Sequence, residues 1–228
     1  MSVSPSLAYW PQARSALYGP ASSTYRQHMN TQTHLLIAGA LFARPGMPLR
    51  NTAVVIGALV PDLAIYTLFA WSKFAGIPEA TVWRQLYWQE PWQTWTAAGN
   101  SIPLYMVALL LGVIFLRQAS NTWRIGLVLT FISLAALSHI AGDMPVHVDD
   151  AHRHFWPISD WKFISPISYW HPDHHGDAFG IFEAVLGFAL AALLFVRFKV
   201  WWVRALLIVM MIAYVAVPFY FYWQMSGA

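Results

Sequence analysis

The side chains best suited to metal binding are concentrated in one short part of the sequence. Seven of the nine histidines and five of the seven aspartates lie between His139 and His175. Imidazole and carboxylate groups are the usual ligands of zinc and related metals. The stretch begins inside an apolar segment, where an ionisable group is costly at membrane depth and indicates a function. Its residue types and its position therefore predict a metal site at or near a membrane surface.

The composition indicates the class of protein that positions this stretch. Apolar residues make up 58% of the 228 residues and charged residues only 10%, with a mean hydropathy of +0.48, whereas soluble domains carry about 25% charged residues. We expect an all-α, polytopic integral membrane protein. Residues 1–28 are predicted to be a flexible N-terminal tail, and residues 29–228 a single transmembrane helical domain with an outer histidine-rich loop at 143–177. The absence of cysteine excludes disulfides, iron–sulfur clusters and thiolate zinc sites.

The hydrophobic pattern predicts a bundle of about five to six membrane helices. Crossing the hydrocarbon takes about 20 residues, and all but the first of the apolar segments reach or approach that length. The first segment, residues 34–43, is either a half-helix or the apolar end of a longer helix that starts near Thr31. Pro61 and Asp62 interrupt the second segment, so we expect a kink there. The apolar segments are 34–43, 52–72, 101–117, 123–142, 178–197 and 200–223.

The basic residues indicate how the bundle is oriented in the membrane. Arginine and lysine cluster in or beside the short connections at 44–50, 118–122 and 198–199, which contain no acidic residue. Positive charge in short loops marks the cytoplasmic side. The long loops 73–100 and 143–177 are therefore expected on the outer, periplasmic side of a bacterial inner membrane. Because this outer part is acidic and histidine-rich without a basic stripe, the expected partners are membrane lipids and other membrane proteins, not nucleic acid.

Five polar residues from four segments are predicted to meet at one depth. Counting about 1.5 Å per helical residue from the cytoplasmic connections places His34, Asp62, Asn100, His139 and Asp143 near the outer leaflet. Asp143 follows His139 by one turn, so both lie on one helix face. A lone polar side chain in an apolar helix more often hydrogen-bonds a neighbouring helix. Two carboxylates at membrane depth, however, carry a cost that metal coordination relieves, so we expect a shared metal site.

Three sequence motifs in a fixed order suggest a family. THLLIAGALFA, GALVPDL, and LSHIAGDMPVH followed by WPISDWKFISP resemble the motifs of membrane-bound metal-dependent hydrolases, whose best-known members are inner-membrane proteins regulated by LexA. The resemblance implies that His34, Asp62, His139 and Asp143 are metal-site residues. The chain departs from the family's HRGxTHS motif, because QTWTAAGNSIPLY places Asn100 and a serine where His-Ser is expected. The departure leaves three alternatives: one metal instead of two, later histidines as replacement ligands, or lost activity.

The outer loop supplies the candidate replacement ligands. In HVDDAHRHFW, a helix would place His147, Asp150 and His154 on one face and direct His152 and Arg153 elsewhere. A second cluster, HPDHH, directly precedes the next apolar segment. Simple solvation is the alternative explanation for all these side chains. The candidate ligands are His147, His154, His171, His174 and His175.

A zinc-dependent hydrolase with its site at the outer face is the first functional hypothesis. Zinc lowers the pKa of water towards 7, so that the water can attack an ester or phosphoester, and Asp62 or Glu183 would act as the general base. The missing HRGxTHS motif favours an alternative, a non-catalytic accessory or assembly subunit of a membrane complex. A third hypothesis is a metal- or haem-handling membrane protein, since paired histidines also bind haem iron.

Overall fold

Helices account for all regular secondary structure in the described part of the chain. The structure is a computed structural model that describes residues 31–118, 122–169 and 172–225. The expected all-α membrane bundle is confirmed, and the tail predicted at 1–28 lies outside the described residues. The α-helices of the described part are α1 (Thr31–Phe42), α2 (Pro48–Leu59), α3 (Leu63–Phe74), α4 (Glu79–Arg84), α5 (Trp92–Gly99), α6 (Ile102–Arg117), α7 (Trp123–Asp143), α8 (Gly176–Arg197) and α9 (Trp201–Met225).

Several of these helices are long and apolar enough to cross a membrane. Among the described residues, four spans meet this criterion, and a fifth is added if α5 and α6, which meet at an angle of 41°, form one broken span. Large apolar side chains on their outer faces are exposed, as expected for surfaces that contact lipid chains. The four spans are Pro48–Phe74, Trp123–Val146, Gly176–Arg197 and Trp201–Tyr220.

The short helix α1 lies inside the bundle. Its 12 residues are fewer than the hydrocarbon requires, and Leu36 and Ala38 are buried where α1 packs against α2, α7 and α8. The helices joined by short connections, α1–α2, α6–α7 and α8–α9, pack as neighbours. Gly57 brings α2 into backbone contact with α7, because a Cβ there would lie 2.3 Å from the Ile132 carbonyl oxygen. The end of α2 is thereby fixed against the helix that carries His139.

The kink predicted at Pro61 is a 3₁₀ turn, Val60–Asp62, that separates α2 from α3. Proline has no N–H to continue the helical hydrogen bonding, so nearby carbonyl groups need other donors. Asn100 supplies one, since its Nδ2 lies 3.1 Å from the Pro61 carbonyl oxygen. Gly99 permits this approach, because a Cβ there would lie 3.1 Å from the same oxygen. The break between α5 and α6 therefore packs against the break between α2 and α3.

The outer segment that follows α7 is not helical. After α7, a 3₁₀ turn at Met144–Val146 leads into turns and extended chain. A later segment of the loop folds back onto it. The backbone N–H of Ser165 donates to the His147 carbonyl at 2.9 Å, and the backbone N–H of Tyr169 donates to the Val146 carbonyl at 3.1 Å. These carbonyls therefore bond across the loop instead of within a helix. The helical arrangement considered for residues 147–154 is therefore not adopted.

Candidate metal centre

His139 on α7 has the orientation of a metal ligand. The side chain is buried, and its Nδ1 lies 2.8 Å from the carbonyl oxygen of Ala58 at the end of α2. A carbonyl oxygen only accepts, so Nδ1 carries the proton and donates. In the neutral ring, Nε2 then carries a lone pair, which is the state in which a histidine binds a metal.

The free nitrogen of His139 points at two carboxylates. Nε2 lies 3.0 Å from Oδ2 of Asp143, one turn later on α7, and 3.5 Å from Oδ1 of Asp62 in the 3₁₀ turn. A lone pair and two ionised carboxylates are all acceptors, so they repel one another at these distances. Positive charge between them, either a proton on Nε2 or a metal ion, removes the repulsion. The arrangement is therefore suited to hold a cation.

His34 joins this group from α1. Its Nε2 lies 2.9 Å from Oδ1 of Asp143, and its ring stacks on that of His139 with centroids 3.6 Å apart and 12° between the planes. Its Nδ1 is buried without a hydrogen-bond partner in the described residues, so no backbone contact fixes its tautomer. His34, His139 and Asp143 are all buried and form a group that can hold a metal ion, which we call the first group.

Asp62 lies at the more open edge of the first group. Its side chain is 19% exposed, compared with 7% for Asp143. Thr31 donates a hydrogen bond of 2.7 Å to its Oδ2, and the hydroxyl of Tyr66 donates in turn to Thr31. These hydroxyl groups hold the carboxylate while its Oδ1 faces His139. Asp62 is thus placed to meet both the ligands and a molecule that enters from outside.

A second group shares Asp143 with the first. Asp143, His147 and His152 are buried, and each offers a potential ligand atom within 4.8 Å of the others. His147 directs Nε2 at Oδ1 of Asp143 over 3.7 Å. Its Nδ1 lies 3.0 Å from Oδ1 of Asp150, an ion-pair contact that is not aligned as a hydrogen bond. Tyr169 donates to the other oxygen of Asp150 at 2.8 Å.

Burial and charge have different net effects on the ionisable groups of the outer segment. Burial disfavours the charged form of His147, but contacts with Asp143 and Asp150 outweigh it and raise the pKa of His147 to about 10. For His152, burial and the nearby His147 together lower the pKa to about 3. Burial opposes ionisation of Asp150, yet its contact with His147 lowers its pKa to about 2. His147 and Asp150 therefore form a charged pair beside a neutral His152.

The predicted shared face of His147, Asp150 and His154 does not exist, because the segment is not helical. His154 turns to the backbone of the α5–α6 break, where its Nδ1 lies 3.3 Å from the Asn100 carbonyl oxygen. His152, which a helix would have directed elsewhere, instead places its ring 4.9 Å from that of His147. Sequence reasoning therefore missed His152 and assigned its place to His154.

The histidines of the second cluster in the sequence belong to neither group. His174 is partly buried, and its Nδ1 lies 3.3 Å from the carbonyl oxygen of Pro166. His175 is exposed at the start of α8, with a left-handed backbone (φ 65°). His171 lies outside the described residues. Among the described residues, the two potential metal-binding groups are therefore built from α1, α7 and the segment directly after α7.

Glu183, a predicted general base, is buried on α8 behind the first group. The Thr33 hydroxyl donates to its Oε1 at 2.6 Å and also lies 2.6 Å from the hydroxyl of Tyr214 on α9. Thr33 is next to His34 in α1, so these contacts connect the helix carrying that ligand to α8 and α9. Glu183 belongs to neither potential metal-binding group, and its contacts indicate a role in positioning α1.

Comparisons with known proteins identify no relative. No protein-family model matches the chain, and neither a curated protein nor a solved structure matches it. The function must therefore be inferred from the geometry of the site.

Proposed function

We propose that this chain is a membrane-embedded, zinc-dependent hydrolase that cleaves an ester or phosphoester at the outer, non-cytoplasmic face of the membrane. One observation carries the proposal. The backbone of Ala58 fixes the tautomer of His139 so that Nε2 faces Asp143 and Asp62, with His34 stacked beside it. Two imidazole nitrogens and a carboxylate, with further carboxylate oxygen nearby, are the usual ligand set of a catalytic zinc site.

The distances in the first group fit zinc. Bond lengths of about 2.0–2.2 Å in a tetrahedral site place neighbouring ligand atoms about 3.3 Å apart. The ligand atoms of His34, His139 and Asp143 approach one another to 2.9 and 3.0 Å, and Asp62 lies at 3.5 Å. Ion binding therefore requires these side chains to move apart slightly, and the stacked rings of His34 and His139 to turn until both Nε2 lone pairs point at the ion.

The residues in and around the first group have distinct roles in this proposal. His34, His139 and Asp143 would hold the ion, which would supply a Lewis acid to polarise the substrate and acidify water. Asp62 accepts the proton of the attacking water on Oδ1, because that oxygen faces the ligands at the more open edge. Thr31 keeps the carboxylate in this orientation through its hydrogen bond to Oδ2.

The position of the site supports an outer-face substrate. The first group lies at the end of α2 that is remote from the basic connection at 44–50. The 12 residues of α2 rise about 18 Å at 1.5 Å per residue. If the short basic connections are cytoplasmic, the site lies towards the opposite surface, where ester and phosphoester groups of lipids are within reach.

The resemblance to the membrane-bound metal-dependent hydrolases is part of this proposal. His34, Asp62, His139 and Asp143 come from three separate motifs, and their side chains meet in one place. Asn100, at the position of the missing motif, is buried and donates through Nδ2 to backbone carbonyls. We infer that it stabilises the helix breaks in place of a lost ligand.

Metal analysis of the detergent-purified chain tests the ion site. We expect zinc in the wild-type protein and a lower zinc content in His139→Ala, because the methyl side chain of alanine offers no nitrogen to the group. His175→Ala is the matched control, since His175 is exposed and belongs to neither group. Wild-type protein that binds no zinc, or His139→Ala with wild-type zinc content, would overturn the proposal.

Turnover of a chromogenic aryl ester and an aryl phosphodiester tests the reaction. We expect zinc-dependent hydrolysis of one of them, and a fall in kcat of about 10²–10⁴-fold in Asp62→Asn through loss of the general base. The zinc content of this variant should stay close to that of the wild type. Wild-type turnover in Asp62→Asn would exclude Asp62 as the base, and zinc-loaded protein inactive on both substrates would count against a hydrolase.

A non-catalytic accessory subunit is the second candidate. The structural use of Asn100, at the position where the resembling family has His-Ser, favours it. This candidate predicts stoichiometric membrane-protein partners on purification and no zinc in the complex. The haem version of the third hypothesis is disfavoured, because the stacked rings of His34 and His139 leave no space for a porphyrin between them.

A further inference from the structure

Asp143 uses its two carboxylate oxygens in different directions. Oδ2 faces His139 at 3.0 Å, whereas Oδ1 lies 2.9 Å from Nε2 of His34 and 3.7 Å from Nε2 of His147. The carboxylate therefore stands between histidines of the membrane helices and a histidine of the outer segment. A carboxylate with ligand nitrogens on both sides has the arrangement of a bridge between two metal ions.

The outer side of this bridge has its own ligand set. Asp143, His147 and His152 are 5%, 6% and 7% exposed, and their potential ligand atoms lie within 4.8 Å of one another. Two imidazoles and one carboxylate are enough protein ligands for a zinc ion that keeps one open position. The first group uses neither His147 nor His152, so an ion here would not compete for histidines.

Groups behind His147 hold its ring in position. Metal-binding histidines commonly present their other nitrogen to a carboxylate, which fixes the orientation of the ring. Asp150 lies 3.0 Å from Nδ1 of His147, and Tyr169 holds Asp150 through a hydrogen bond of 2.8 Å. The backbone of Ser165 also donates to the His147 carbonyl. His147 is therefore held from behind while Nε2 points at Asp143.

His152 is a buried histidine that the proposed reaction leaves unexplained. Its ring packs against the rings of His147 and His154, at centroid distances of 4.9 and 5.9 Å. One nitrogen of this ring lies within 4.8 Å of potential ligand atoms of both Asp143 and His147. Coordination of an ion would compensate for the lost hydration of His152.

We propose that the chain binds a second divalent ion, of the zinc class, at His147 and His152, with Asp143 as the carboxylate that bridges it to the ion of the first group. This inference rests on the proposed first ion. Ions that share a carboxylate in hydrolytic sites lie about 3.5–4 Å apart.

Zinc titration of the full-length, chelator-stripped protein in detergent tests the proposal. We expect about two zinc ions per wild-type chain, as in two-metal sites, and one in His152→Ala. His154→Ala is the matched control, because His154 is buried in the same segment but belongs to neither group, and it should bind two. In Asp150→Asn the second ion should bind about 10–100-fold more weakly, because the variant loses a carboxylate that orients a metal-binding histidine.

The outcomes separate the two ion sites. One zinc in both the wild type and His152→Ala would overturn the second site and leave the first intact. Two zinc ions in both would show that His152 is not a ligand. No zinc in the wild type would refute both proposals. The cobalt-loaded protein gives an independent readout, since exchange coupling between bridged cobalt ions changes the paramagnetic resonance signal from that of isolated cobalt, a change that His152→Ala should lose and His154→Ala should keep.

Discussion

Replacing Asp143 with asparagine removes a carboxylate that faces three histidines, while the shape of the side chain stays almost the same. The ligand nitrogens of His34, His139 and His147 lie 2.9, 3.0 and 3.7 Å from its oxygens. An amide has no negative charge and offers one oxygen instead of two. The variant therefore keeps the packing of the site and loses the group on which both ion positions depend.

The expected size of the effect follows from ligand linkage. At a free zinc concentration 100 times the Kd, binding stabilises the wild type by about 2.7 kcal/mol. At about 2–4 °C per kcal/mol for a chain of this size, Tm rises by about 5–11 °C. Loss of a group that only orients a metal ligand already weakens metal binding by about 10–100-fold. Loss of a direct ligand should therefore weaken zinc binding by at least about 100-fold. The zinc-induced shift of Asp143→Asn should then be at most about 1–2 °C.

Thermal unfolding in detergent, with zinc and with chelator, measures this difference. Each variant is compared with itself without zinc, so a general loss of stability in Asp143→Asn does not imitate the effect. Asp160→Asn is the matched control, because the Asp160 side chain is 78% exposed and pairs with Arg153, a type of contact worth at most about 1 kcal/mol. A zinc-induced shift of wild-type size in Asp143→Asn would refute the assignment of Asp143 as a ligand.

The remaining predictions concern the groups that support the site. Gly57→Ala should lower the unfolding free energy by about 1–3 kcal/mol, since its Cβ would lie 2.3 Å from the Ile132 carbonyl oxygen; unchanged denaturant unfolding would contradict the close contact. Thr31→Val removes the donor to Asp62 and should lower kcat at constant zinc content, whereas a parallel loss of zinc would make Thr31 part of the ion site. Tyr169→Phe removes the hydroxyl that holds the carboxylate behind the second ion, so zinc titration should show weaker binding of that ion alone, and weaker binding of both would argue against separate sites.

The sequence predicted the membrane-embedded half of the site because helices obey simple geometry. Asp143 follows His139 by four residues, so the two had to share a face of α7. Counting residues along the predicted helices placed His34 and Asp62 at the same depth, and each contacts one member of this pair, His34 with Asp143 and Asp62 with His139. Pro61 predicted the break as well, although not its form as a 3₁₀ turn. The periodicity of a helix and the depth of a residue along it follow from the residues of that helix alone, so a single sequence was enough to predict them.

The outer half was predicted only in part, with His147 but not His152 among the candidate ligands, because non-local contacts determine it. The backbone of His147 is bonded to Ser165, eighteen residues later, and no local pattern in the sequence encodes that pairing. The spacing of His147 and His154 is compatible with a helix, although Pro145, two residues before His147, argues for a helix end. If this segment had been treated as extended chain instead of helix, His152 would have stayed among the candidate ligands. Loop residues are placed by the contacts of the folded chain, and their spacing alone does not assign their roles.

The breaks in the helices and the orientation of the site have a common physical cause. Backbone carbonyls freed by a helix break cannot find water inside a membrane and must be satisfied by protein groups. Nδ1 of His139 donates to the Ala58 carbonyl and Nδ2 of Asn100 to the Pro61 carbonyl, both beside the break. Because Nδ1 is used in this way, Nε2 of His139 is left as the nitrogen that faces Asp143. The proline that interrupts the membrane span therefore also helps to set the direction of a ligand, which explains how a polar site can be stable inside an apolar bundle.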